Sequence, residues 1–114
     1  MASEGFHEQI QDLTPQTRDM HRAIRSLMEE LEAIDWYQQR VDATTDEALR
    51  VILAHNRDEE KEHASMVLEW IRRHDPTFDG HLKKYLFTSD PITERPETAE
   101  GPTSQNPGGR RWNG

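Results

Sequence analysis

Glu60 and His63 stand three residues apart in the run RDEEKEH, residues 57–63. At about 100° per residue, that spacing puts both side chains on one side of a helix, within reach of one ion or a close pair. With Asn56 as origin, Leu49, Ile52, Leu53, Glu60, His63, Val67, Trp70 and Ile71 all fall within about 60° of one line. Glu60 and His63 therefore interrupt an apolar stripe, whereas Glu59 at its edge and Lys61 and Glu62 well away from it read as a solvated face. A buried carboxylate is costly unless something pairs it, and a cation held jointly with the imidazole would do so. A second acidic residue behaves alike on another helix. With Leu27 as origin, Glu30 lies about 60° round, between Leu27 and Ile34, and Tyr37 lies one step further on the same side. Glu29, Glu32 and Trp36 lie on the opposite side.

A glutamate from one helix and a Glu-x-x-His from its neighbour make half the ligand set of a carboxylate-bridged di-iron bundle. The full set takes two lone glutamates and two Glu-x-x-His pairs from four helices. One chain of this kind supplies two such helices, so two chains would complete the set. Mixed carboxylate and imidazole ligands suit iron or manganese, whereas calcium takes oxygen alone. The plain structural readings are a rim glutamate paired to Arg or Lys for Glu60 and a satisfied core histidine for His63. The inward placement of both, with Glu30 matching on the partner helix, favours the metal reading. Tyr37 could donate a hydrogen bond to an oxygen held at such a centre, although tyrosine at a helix interface is more often packing. Glu29 and Glu32, three apart on the outer face, could attract cations on their way in. His55 lies about 100° off the stripe and suits a surface or subunit contact. His7, His21, His74 and His81 have no ligand spacing, and Met20, Met28 and Met66 read as core or contact residues.

The elements that position these residues are helices. Thr14-Pro15 reads as an N-cap followed by proline at the first helical position, where its missing N–H costs nothing. Met20, Ile24, Leu27, Leu31, Ile34 and Val41 then follow helical spacing along one face, and no glycine or proline interrupts to about Val41. Thr44 followed by Glu47 in DATTDE resembles a capping box and predicts a second helix from near Thr45 to about His74. Asp75-Pro76 ends it and caps a shorter helix in PTFDGHLKKYLF, whose Phe78, Leu82, Tyr85 and Leu86 could pack on the first two. The expected organisation is a flexible N-terminus over 1–13, a helical domain over 14–90 and a disordered tail over 91–114, rich in Pro, Gly, Ser and Thr. The fold class is all-α: an antiparallel hairpin of two long helices plus a short one, half of a four-helix bundle that dimerisation completes.

Composition agrees with a shared core. Only 32% of the 114 residues are hydrophobic, 32% are charged, and the formal net charge is −8. So little apolar content favours an oligomer, and the negative charge argues against nucleic acid while concentrating cations. There is no cysteine, which excludes thiolate metal sites and disulfides and fits a reducing compartment. No apolar run approaches a membrane span, and MASEGFHEQIQDL carries no signal-peptide pattern. A soluble, cytoplasmic protein is the expectation.

The strings RSLMEELEAIDWYQQRVDA, ILAHNRDEEKEHASMVLEWIRR and KKYLFTSDPIT resemble the encapsulated ferritins, two-helix ferritin-like proteins packaged inside encapsulin shells. The resemblance covers roughly residues 16–93. It implies a ferroxidase with an inter-subunit di-iron centre, in a ring-shaped decamer built as a pentamer of dimers, with iron stored and detoxified in the shell. Position by position, Glu30 matches the family's first-helix ligand, and Glu60 and His63 its Glu-x-x-His. Tyr37 matches the tyrosine beside the centre and Trp36 the neighbouring tryptophan, while Glu29 and Glu32 match an acidic pair proposed to guide metal in. One departure is the terminus NPGGRRWNG, where family members usually carry a short apolar, glycine-containing segment that docks to the shell. Two other readings stay open on the residues alone: a non-catalytic helical assembly or adaptor protein, and a manganese- or zinc-binding module with the same ligands.

Overall fold

The computed structural model describes residues 5–94. Residues 1–4 and most of the expected tail, 95–114, lie outside that range. Among the described residues the chain is all helical: a 3-10 turn Ile10–Asp12, α1 (Pro15–Ala43), α2 (Glu47–His74), α3 (Pro76–Tyr85) and a second 3-10 turn Ile92–Glu94. They divide into two compact units, Met1–Leu68 and Glu69–Gly114, with the boundary inside α2.

In the first unit, Thr14 caps α1 as its sequence predicts. Its hydroxyl accepts from the Thr17 backbone N–H at 3.1 Å, and Pro15 occupies the first turn. Residues 5–13, expected to be weakly structured, carry the 3-10 turn and two ties to α1. The Arg18 guanidinium donates to the Ile10 carbonyl at 2.7 Å, and the Phe6 and His21 rings stack at 4.2 Å.

The α1–α2 connection differs in detail from its expectation. Asp46, not Thr44, caps α2: its carboxylate accepts from the Leu49 N–H at 2.9 Å, and helix begins at Glu47. Thr44 instead ends α1, where its N–H donates to the Arg40 carbonyl, and its hydroxyl accepts from the Asp46 N–H at 3.2 Å. The physical reason is that a carboxylate at the helix N-terminus complements both the free N–H groups and the helix dipole more strongly than a hydroxyl does. Arg50 ties the connection down by donating to the Val41 and Thr44 carbonyls, two acceptors left over at the end of α1.

Cross-helix pairs move apart in sequence with distance from this loop. Arg50 meets Val41, Arg57 donates to the Gln38 side chain at 2.8 Å, and Glu60 meets Glu30. Such a progression defines an antiparallel pair. The pair covers little of its own apolar stripe, and no residue of α1 is buried. Leu31 on α1 and Ile52 and Met66 on α2 keep 54%, 56% and 58% of their surface exposed.

In the second unit, Asp75 caps α3 through the Phe78 N–H at 3.0 Å, with Pro76 in the first turn. The helix closes at Tyr85, short of the expected Phe87, which adopts φ 61° with its side chain fully exposed. Asp79 is buried at 4% exposure. It receives the Arg72 guanidinium and, at 3.1 Å, the Lys83 ammonium, while Glu69 takes Arg72 at 2.8 Å and Arg73 at 2.7 Å. Of the four positions expected to pack, Phe78, Tyr85 and Leu86 are exposed and Leu82 is partly buried.

Candidate metal centre

Midway along the first unit the antiparallel register sets Glu30 of α1 against Glu60 and His63 of α2. One ligand atom from each lies within 4.8 Å of the others, and all three residues are partly buried. Within α2, His63 Nδ1 faces Glu60 Oε1 at 3.7 Å. One oxygen of Glu30 is shut off from solvent without any hydrogen-bond partner. Burial pushes the Glu30 carboxyl above its ordinary range, and the nearby Glu60 charge pushes the same way; His63 opposes them and Glu29 adds a smaller push upward.

A carboxylate with a sealed, unpartnered oxygen beside a second carboxylate is an expensive arrangement for a chain alone. A cation resolves it by supplying the missing partner to Glu30 and offsetting the repulsion from Glu60. The donor set, two carboxylates and an imidazole, fits iron or manganese. Three protein ligands leave room for further ligands or a second ion.

The remaining residues singled out from sequence sit outside this group. Glu29 and Glu32 are exposed on α1, with Glu29 close enough to influence Glu30. Trp36 is half exposed and lines a shallow surface depression with Gln39, Arg40 and Ala43. Tyr37 is partly buried, and the Arg40 guanidinium lies 5.2 Å from its ring centre. Glu59, read from sequence as part of the solvated face, is exposed and also lies beside the group. Glu59 extends between two histidines, with Oε1 3.9 Å from His63 Nε2 and Oε2 4.0 Å from His55 Nε2. The i, i+4, i+8 spacing of His55, Glu59 and His63 is the signal that points to it, because such positions are helix neighbours.

A candidate metal-ligand group thus lies on an antiparallel pair of helices, and residues 5–89 match the EncFtn-like family. The chain belongs to that family, the encapsulated ferritins. It is 61% identical over 92 residues to the encapsulated ferritin-like protein of Rhodospirillum rubrum, an alignment covering 81% of this chain and 66% of that one. It is 53% identical over 107 residues to a ferritin-like protein of Thermotoga maritima, covering 94% and 93% respectively. A cargo protein of the encapsulin nanocompartment in Myxococcus xanthus, EncC, is 43% identical over 67 residues, 58% of this chain and 52% of that one. Among solved structures, the protein ne0167 from Nitrosomonas europaea superposes with TM-score 0.76 at 66% identity, covering 78% of this chain and 98% of that one. Among the described residues, no helix is long and apolar enough to cross a membrane.

Proposed function

We propose that the chain is a ferroxidase that oxidises Fe²⁺ to Fe³⁺ with oxygen at a di-iron centre shared between two copies, acting as cargo of an encapsulin shell. The observation that carries this reading is the sealed, unpartnered oxygen of Glu30 held beside Glu60 and His63. Family membership and the names of the R. rubrum and M. xanthus relatives support the ferritin-like activity and the shell as partner. Iron enters as substrate, and two Fe²⁺ give one electron each to oxygen. The chain's own part is electrostatic and positional. Glu30 and Glu60 supply negative charge that draws in Fe²⁺ and tolerates the rise to Fe³⁺. His63 adds a nitrogen donor, and Tyr37 is the proposed hydrogen-bonding neighbour. Exposed Glu29 and Glu32, with Trp36, form the proposed way in for metal.

One chain provides Glu30, Glu60 and His63 once, so the centre is completed by a second copy. The exposed apolar residues Leu31, Ile52 and Met66 support that dimer, because they lie on the two helices of the half-site and lack cover among the described residues. The decamer follows from the family resemblance, and iron storage and detoxification would take place inside the nanocompartment. The test is aerobic addition of Fe²⁺, followed by absorbance and native mass spectrometry. Wild type should oxidise iron rapidly and shift to larger assemblies, while Glu60→Ala and His63→Ala abolish fast oxidation. Near-normal absorbance growth in both variants would falsify the assignment. Binding without turnover would favour a manganese or zinc module, and an assembly indifferent to metal would favour an adaptor.

A further inference from the structure

His63 has two ring nitrogens, and each faces a different carboxylate of its own helix. Nδ1 looks toward Glu60 at 3.7 Å, and Nε2 toward Glu59 at 3.9 Å. A metal shared by Glu60 and His63 is therefore met by Nδ1, the nitrogen on the Glu60 side. That leaves Nε2 to carry the proton, directed at Glu59. Imidazoles that ligate metals almost always donate their other N–H to a carboxylate, carbonyl or water, which fixes the tautomer and the ring orientation. We infer that Glu59 is a positioning residue for the metal centre, accepting from His63 Nε2–H and so presenting the Nδ1 lone pair to the ion.

Three observations support this. The separation is in ion-pair range yet longer than a hydrogen bond, and both side chains are about half exposed, so a modest rotation of either closes it. Glu59's other oxygen faces His55 Nε2 at 4.0 Å, so the carboxylate lies between the two rings. Finally, the three positions lie at i, i+4 and i+8 on one helix, so the arrangement survives small movements of α1. Glu59 touches neither the ion nor oxygen in this scheme and acts only through His63.

The inference rests on the metal-site reading, and the experiment separates the two. Co²⁺ is titrated into the full chain, and affinity is read from its absorbance. Proton NMR in water then follows the paramagnetically shifted, exchangeable N–H of a ligating imidazole. His63→Ala should remove that N–H signal. Glu59→Ala should lower Co²⁺ affinity about 10- to 100-fold and speed exchange of the N–H with solvent. Glu59→Gln should fall between wild type and Glu59→Ala, because its amide oxygen still accepts from Nε2–H. Unfolding midpoints recorded alongside show that the graded loss is not a loss of fold. Unchanged affinity and exchange in Glu59→Ala, with the signal still lost in His63→Ala, would overturn the role of Glu59 alone. Co²⁺ binding indifferent to both Glu60→Ala and His63→Ala would overturn the site itself, and this inference with it.

Discussion

Glu30 holds a sealed oxygen that accepts no hydrogen bond from the chain, beside the like charge of Glu60. Both features work against the folded chain and in favour of a bound cation. Glu30→Gln removes the charge and offers amide donors to Glu60, so the metal-free protein should gain about 1 kcal/mol in denaturant unfolding. The same variant should bind Fe²⁺ or Co²⁺ far more weakly. Opposite signs in the two measurements would show the half-site giving up stability for affinity; a destabilised metal-free variant would contradict that account. Glu30, Glu60 and His63 were legible in the sequence because they break an apolar stripe at helical spacing. Glu59 was passed over, although winding sets it at the stripe's edge, as far from Asn56 as Leu53 and Ile71, because its charge and its charged neighbours read as a solvated face.

At the scale of elements, the helix starts at Pro15 and Pro76 were legible because proline and its preceding cap leave few alternatives. The start of α2 was harder to read, with Thr44, Thr45 and Asp46 all competent to cap. The carboxylate wins. Asp46→Ala should cost about 1 kcal/mol, while Thr44→Ala, which leaves the α2 cap in place, should cost less; urea midpoints of the two variants test the order. The second unit gives a pH prediction. Burial raises the Asp79 carboxyl, but hydrogen bonds from Arg72 and Lys83 outweigh it, so its pKa lies below the ordinary 3.8. A carboxyl depressed in the folded state binds fewer protons there than when unfolded, so its stabilisation is complete above 3.8 and lost as pH falls through the folded value. Asp79→Asn should cost about 2 kcal/mol at neutral pH, and the gap to wild type should close on acidification below that point. A gap independent of pH would mean that packing, not charge, holds Asp79. No apolar pattern announces a buried aspartate, so this position was invisible to periodicity.

For the whole molecule, periodicity identifies an apolar stripe but not which copy covers it. Among the described residues, Leu31 and Ile52 belong to stripes left open, and Met66 beside the α2 stripe is exposed as well. A charge at Ile52 should therefore break self-association without touching a ligand. Ile52→Glu is expected to sediment as a monomer and to lose fast iron oxidation, and an active dimer would place the proposed interface elsewhere. The half-site on one antiparallel pair also has a genetic corollary. In the proposed twofold dimer a single codon change alters the centre at two places at once. Co-expressing wild type with His63→Ala would separate the doses, giving intact, half-altered and fully altered centres in one preparation. Dominance of a ligand allele over its wild-type partner would then measure how far one crippled copy disables a centre that both copies own.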